Sequence, residues 1–161
     1  MNLSVVRHHP IDRFSAFLDR QSKEMVIGVV GSISHIKGRE HVLNLLRYMD
    51  EHELDARLVV VGDMGGVPYS SKRISITGQY AHAGLPKLLQ RHHVTVAFFP
   101  SICPETFGFV VQELMLLGLP VACFGLGAQA EYVAQYKNGL VIRSMDASDV
   151  WLGLKRLHDA T

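Results

Sequence analysis

Two glutamates, Glu105 and Glu113, stand with seven residues between them in the stretch Pro104-Glu105-Thr106-Phe107-Gly108-Phe109-Val110-Val111-Gln112-Glu113. Phe107, Val110, Val111, Leu114 and Met115 fall at helical spacing, so Glu105 precedes a helix and Glu113 lies roughly two turns along its polar edge. Carboxylates accept hydrogen bonds in pairs, and both residues suit sugar or ribose hydroxyls. Thr106 or Glu105 can cap the helix, and Gly108 lets a ligand approach the backbone closely. The N–H groups of Gly108, Phe109 and Val110 would then face an anion. A capping Glu followed by a Glu on a solvated face accounts for the same spacing, and at this point that alternative stays open.

A second candidate is the loop Gly31-Ser32-Ile33-Ser34-His35-Ile36-Lys37-Gly38, which follows an apolar run and leads into a helix. Free N–H groups at a helix start, with Lys37 beside them, make an anion site. The loop is neither G-x-x-x-x-G-K-[ST] nor G-x-G-x-x-G, so two common nucleotide fingerprints are absent. An ordinary strand-to-helix loop with a glycine at each end fits it too. Nine histidines raise the question of a metal, but His8-His9 and His92-His93 are adjacent pairs whose side chains diverge. With no H-E-x-x-H and no carboxylate–histidine cluster, no metal is expected. Ser101 lies outside any G-x-S-x-G elbow, which argues against a serine hydrolase.

These loops need elements to hold them. Glu24 to Val30 is a continuous apolar run ending at Gly31, as expected of a strand buried on both faces. Val42, Leu45, Leu46 and Met49 form one stripe of a helix over about 39–52. Ala56–Val61, Ile74–Ile76, Val94–Phe99, Val121–Cys123 and Leu140–Ile142 read as further strands. Helices are expected over Leu85–Arg91, around 107–115, over 128–136, and around Val150, Leu154 and Leu157, the last capped by Asp146 or Ser148. The apolar stripe of that last helix, Trp151 included, is core or a face covered by another domain. Met64–Arg73 is too short and too rich in Gly and Pro for a crossover helix, so it reads as a loop. The alternation predicts an α/β, Rossmann-like parallel sheet of about six strands with helices on both faces. Ligands in such sheets bind beyond the carboxyl ends of the strands, where the strand order reverses.

Composition narrows the class. A chain of 161 residues, 48% hydrophobic and 19% charged, suits one folded domain that buries roughly 70% of its extended surface. A net charge of +1 without a basic cluster excludes a nucleic-acid platform. Cys103 and Cys123 form no C-x-x-C, consistent with a reducing compartment. The uncharged run between Glu113 and Glu131 is broken by Gly118, Pro120, Gly125 and Gly127 and is shorter than the ~20 residues of a membrane span. A soluble, cytoplasmic protein without a transmembrane segment is expected, with residues 1–23 as a lead-in segment before a domain over 24–161.

Taken in order, Pro100-Ser101-Ile102-Cys103-Pro104-Glu105-Thr106-Phe107-Gly108, Glu113 and Gly118-Leu119-Pro120-Val121 resemble the donor-binding half of the retaining glycosyltransferases of family 4. Gly31…Lys37-Gly38, Val61-Gly62-Asp63, Thr77-Gly78, Gly127…Glu131 and Asn138-Gly139-Leu140-Val141 follow the family's order over about residues 25–158. Pro10-Ile11-Asp12-Arg13-Phe14 is similar to its interdomain segment. The resemblance implies one half of a GT-B fold, in which two Rossmann-like domains face each other across a cleft. It implies that Glu105, as the catalytic residue, holds donor-sugar hydroxyls and that Glu113 holds the ribose. Gly31, Ser32 and Lys37 would line the diphosphate, with Lys37 neutralising it. Phe107 and the N–H groups from Gly108 through Phe109 to Val110 would meet sugar and diphosphate, and Gln79 and Tyr80 the base.

The implied function is binding of a UDP-, GDP- or ADP-linked sugar and transfer of its hexosyl group, without metal or other cofactor. The acceptor would be held by an N-terminal domain outside this chain, and the full enzyme could sit peripherally at the inner face of a membrane. This sequence has Ser32 where the family carries an Arg, leaving His35 and Arg39 as nearby cationic substitutes. Ala128 replaces the second residue of a Gly-Gly pair, and Met64–Arg73 replaces a frequent helix. A non-catalytic nucleotide-binding domain of GT-B type and a nucleotide-sugar epimerase of related architecture are the alternatives.

Overall fold

A computed structural model describes residues 24–104 and 109–161 of the chain. The lead-in segment 1–23 and the site candidates Glu105, Phe107 and Gly108, with Thr106, lie outside the described residues. Six strands form one sheet: β1 (Met25–Ser32), β2 (Ala56–Asp63), β3 (Ile74–Ile76), β4 (Val96–Phe99), β5 (Val121–Phe124) and β6 (Gly139–Ile142). All pairings are parallel, in the order β3-β2-β1-β4-β5-β6. The helices are α1 (Arg39–Glu51), α2 (Leu85–Arg91), α3 (Phe109–Leu116), α4 (Gly127–Gln135) and α5 (Ala147–Asp159), with a 3-10 turn at His82–Gly84 before α2.

Alternate residues of each strand feed opposite cores, which is why the strand sequences are apolar throughout. Met25, Ile27 and Val29 pack with Val42, Leu45 and Met49 of α1 and with Val150, Trp151 and Leu154 of α5. Val26 and Val30 pack on the other face with Leu85 and Leu89 of α2, Val111 and Leu114 of α3, and Val133 of α4. Trp151 is therefore core. No helix among the described residues is long and apolar enough to cross a membrane.

Three local features refine the expectations. Ladder pairing of β4 starts at Val96, not Val94, because the Thr95 hydroxyl intervenes and accepts the Val26 N–H at 3.0 Å. Met64–Arg73 is indeed irregular, and it takes over the covering role of a crossover helix. Met64 and Val67 join the first core, and the Arg47 guanidinium lies 5.2 Å from the centroid of the Tyr69 ring. Asp146 holds the N-cap position of α5, but neither its side chain nor that of Ser148 makes the expected capping bond. Ser144 intervenes instead: its Oγ donates to Asp149 Oδ2 at 2.7 Å and accepts from Asp146 N at 3.2 Å.

Candidate functional site

The strand order reverses between β1 and β4, and the loops leaving these two strands are joined along their backbones. Ile102 N donates to Ile36 O at 3.2 Å, and Ser101 Oγ lies 3.4 Å from the same oxygen. Gly38, with φ 92°, closes the first loop against Pro100. Ser101 is buried, so its hydroxyl works inside the protein, as the absence of a nucleophile elbow suggested. The Gly31-to-Lys37 loop and the run into Glu105 thus form one wall at the carboxyl end of the sheet.

A residue without any sequence signal fixes the far side of this wall. Gln129, in the first turn of α4, is 0% exposed, and its Nε2 donates to Cys103 O at 3.3 Å. The segment from Ser101 to Pro104 is therefore held by the β1–α1 loop on one side and by α4 on the other. It leads directly into Glu105.

The exits of β1, β2 and β3 are equally tight. Gly62 lies opposite Gly31 in the register, and a Cβ on it would sit 2.1 Å from Gly31 O. Its N–H donates to Thr77 Oγ1 at 3.0 Å, fixing the segment that continues to Gln79 and Tyr80. Gln79 is exposed, whereas Tyr80 is half-buried against the second core. Burial and the nearby Glu113 carboxylate both raise the Tyr80 phenol above its ordinary pKa, burial more strongly. Glu113 also meets His82, with His82 Nε2 3.3 Å from Glu113 Oε1. Glu113 is thus flanked by the segment after β3 rather than standing on an open helix face. The solvated-face alternative does not describe it.

α3 begins at Phe109, whose side chain is 72% exposed, while the Val110 side chain packs partly into the core. Any ligand role of Val110 therefore rests on its backbone. Ser32 is exposed at the end of β1, opposite Asp63, whose carboxylate accepts the N–H groups of Met64 and Gly65. Lys37 is half-buried in the loop and His35 exposed. Arg39, the other nearby cation, is engaged just beyond the carboxyl end of β2. Its guanidinium donates to Met64 O at 2.9 Å and Gly66 O at 3.1 Å, securing the irregular β2–β3 link. A charged groove lined by Glu53, Asp55, Lys72 and Arg73 lies at the amino ends of the strands, away from this wall. Among the described residues no three His, Cys, Asp or Glu side chains gather to hold a metal.

Comparison with known proteins bears on this arrangement. Residues 10–159 match the family described as glycosyl transferases group 1. The 2-deoxystreptamine glucosyltransferase of Streptomyces kanamyceticus is 27% identical over 143 residues, 83% of this chain and 36% of that protein. Among solved structures, sucrose-phosphate synthase from Thermosynechococcus elongatus matches with a TM-score of 0.69 and 23% identity, over 92% of this chain and 40% of that one. Anabaena HepE, solved in complex with UDP-glucose, gives 0.67 and 22%, over 92% and 43% respectively. The chain therefore spans well under half the length of these proteins. The structural likenesses speak for the fold, since fold alone does not fix activity. The family match runs through nearly the whole chain, and behind it stands the doubly wound parallel sheet: this chain belongs to the glycosyl transferases group 1 family, with a GT-B-type fold.

Proposed function

We propose that residues 24–161 are the C-terminal, donor-binding domain of a retaining glycosyltransferase of family 4, with residues 1–23 as its lead-in segment. The domain binds a nucleoside-diphosphate sugar, and the hexosyl group passes to an acceptor held by an N-terminal domain. The observation that carries this reading is the gathering of the candidate residues on loops that leave the carboxyl ends of the strands around the strand-order reversal. One side is the joined wall with Lys37, and the other brings Glu113 against Tyr80 and His82. In this reading a nucleotide lies along these loops, with its base at Gln79 and Tyr80, its ribose on Glu113 and its diphosphate at Lys37 and the start of α3. HepE, which shares the fold, has been solved with UDP and with UDP-glucose, which supports a nucleotide-sugar ligand here.

In this reading Glu105 holds donor-sugar hydroxyls. The bond from the anomeric carbon to the diphosphate oxygen breaks, and its electron pair leaves on the nucleoside diphosphate. The acceptor hydroxyl oxygen forms the new bond to the anomeric carbon, and its proton passes to the departing diphosphate oxygen. The domain's contribution is fixed positive charge and N–H groups aimed at the departing diphosphate, supplied without reorganisation. No metal is required for that contribution. Calorimetric titration of the chain with UDP, GDP and ADP tests the reading. At least one should bind, and Lys37→Met and Glu113→Gln should each weaken it about fivefold or more, as loss of a charge-assisted contact does. Absence of binding by all three would overturn it.

One observation favours a second reading, a non-catalytic domain of the same fold. With Ser32 in place of an Arg and Arg39 engaged by the β2–β3 link, the diphosphate relies on Lys37 and backbone N–H groups. Sugar transfer by the chain joined to an acceptor-binding domain would exclude that reading.

A further inference from the structure

We infer that His82 is a positioning residue for Glu113 and through it sets a preference for ribonucleotide over deoxyribonucleotide donors. The inference rests on the proposed role of Glu113 as the ribose ligand. His82 opens the 3-10 turn between the base segment and α2, a turn closed by Gly84 N donating to Ala81 O at 2.8 Å. Ala81 is extended, with φ −72° and ψ 133°, and separates Tyr80 from His82 by a single residue. Glu113 is the residue they share. After burial, its charge is the second cause that raises the Tyr80 phenol pKa, and its Oε1 lies 3.3 Å from His82 Nε2.

The two partners differ sharply in exposure. The His82 side chain is 81% exposed and that of Glu113 26%. So exposed an imidazole contributes little to the core, and its defined contact is with the carboxylate. A carboxylate has about four acceptor positions. An imidazole resting 3.3 Å from Oε1 restricts the orientations open to the group and leaves Oε2 for vicinal hydroxyls. A side chain fixed before the ligand arrives does not lose its rotamer freedom on binding. A half-buried carboxylate aimed at hydroxyls also penalises a nucleotide that lacks them, since its acceptors then go unmet.

The test is calorimetric titration of the 161-residue chain with UDP, GDP and ADP, each paired with its 2′,3′-dideoxy form. For the diphosphate that binds, His82→Ala should weaken the ribose form about 2- to 5-fold, the loss of one exposed orienting contact. It should leave the dideoxy form unchanged. His82→Gln, which keeps a polar group of similar reach, should restore part of the lost affinity. Equal losses for both forms would mean a merely structural role and overturn the inference, as would no loss or tighter binding. If Glu113→Gln weakens the ribose form selectively while His82→Ala does not, the inference falls and the donor site stands. If Glu113→Gln has no effect, both fall.

Discussion

Gly38 lies so close to Pro100 that a Cβ built on it would sit 2.0 Å from the Pro100 carbonyl oxygen. The glycine is needed twice over: its φ of 92° belongs to the left-handed region, and the neighbouring backbone leaves no room for a side chain. Gly38→Ala should therefore separate the two loops of the candidate site and cost about 3 kcal/mol or more, in the range of severe single-residue defects. Gly65 supplies the control. Its φ is 74°, but nothing lies within 4 Å of a Cβ there, so Gly65→Ala should cost only the backbone strain, about 1–2 kcal/mol. Urea unfolding of both variants measures the difference, and equal midpoints would show that the Pro100 contact yields easily.

Gln129 should prove as important to the wall as the glycine. Removing its amide in Gln129→Ala leaves Cys103 O without that donor in a half-buried site and opens a cavity. Cys103 O keeps the Ser101 hydroxyl at 3.2 Å, so the expected cost is about 1 kcal/mol for the lost hydrogen bond, with the cavity adding to it. Because the same bond fixes the run into Glu105, nucleotide affinity should fall as well. A variant with full stability and full affinity would show that the loop is held by the Ile36 contacts alone.

The strands were legible because a sheet covered on both faces demands continuous apolar runs, as in Val59, Val60 and Val61. The β2–β3 link was legible because Gly65, Gly66 and Pro68 cannot sustain a crossover helix. Glu113 was legible as a residue type, but its neighbours were not. Contact with His82 depends on α2 and α3 sharing a sheet face, a tertiary fact without a local pattern. Gln129 sits in a short, weakly amphipathic helix where a polar residue reads as solvent-facing, and its bond to Cys103 O is a tertiary contact. The partners of Arg39 were hidden by its reach. It is next to the anion loop in sequence, yet its long side chain finds the carbonyls of Met64 and Gly66 instead.

The two thiols should separate cleanly in reactivity. Cys103 is partly exposed in the loop after β4, whereas Cys123 is buried in β5 and burial pushes its thiol up to about 12. Thiolate is the reacting species, so a disulfide reagent at pH 8 should titrate one thiol in the folded protein, and Cys103→Ser should remove it. Cys123 should react only as fast as the chain unfolds. Rapid labelling of two thiols in folded protein would contradict the placement of Cys123 in the core.

His92 gives the stability a pH dependence whose sign can be worked out. It follows α2 at the amino end of β4, where burial first, and then the charges of Arg91, Arg57 and His93, lower its pKa below the ordinary 6.5. The unfolded chain, with an ordinary imidazole, then binds a proton more readily than the folded one. Stability must fall as pH drops through 6.5 towards the folded value, and be unaffected by this group above about 7.5. His92→Gln removes the proton-binding group from both states. Between pH 7.5 and 5.5 the parent's urea midpoint should therefore decline more than the variant's, with the two curves converging in slope above neutrality. A steeper decline in His92→Gln would mean that the imidazolium is stabilised at the end of α2, reversing the sign of the shift.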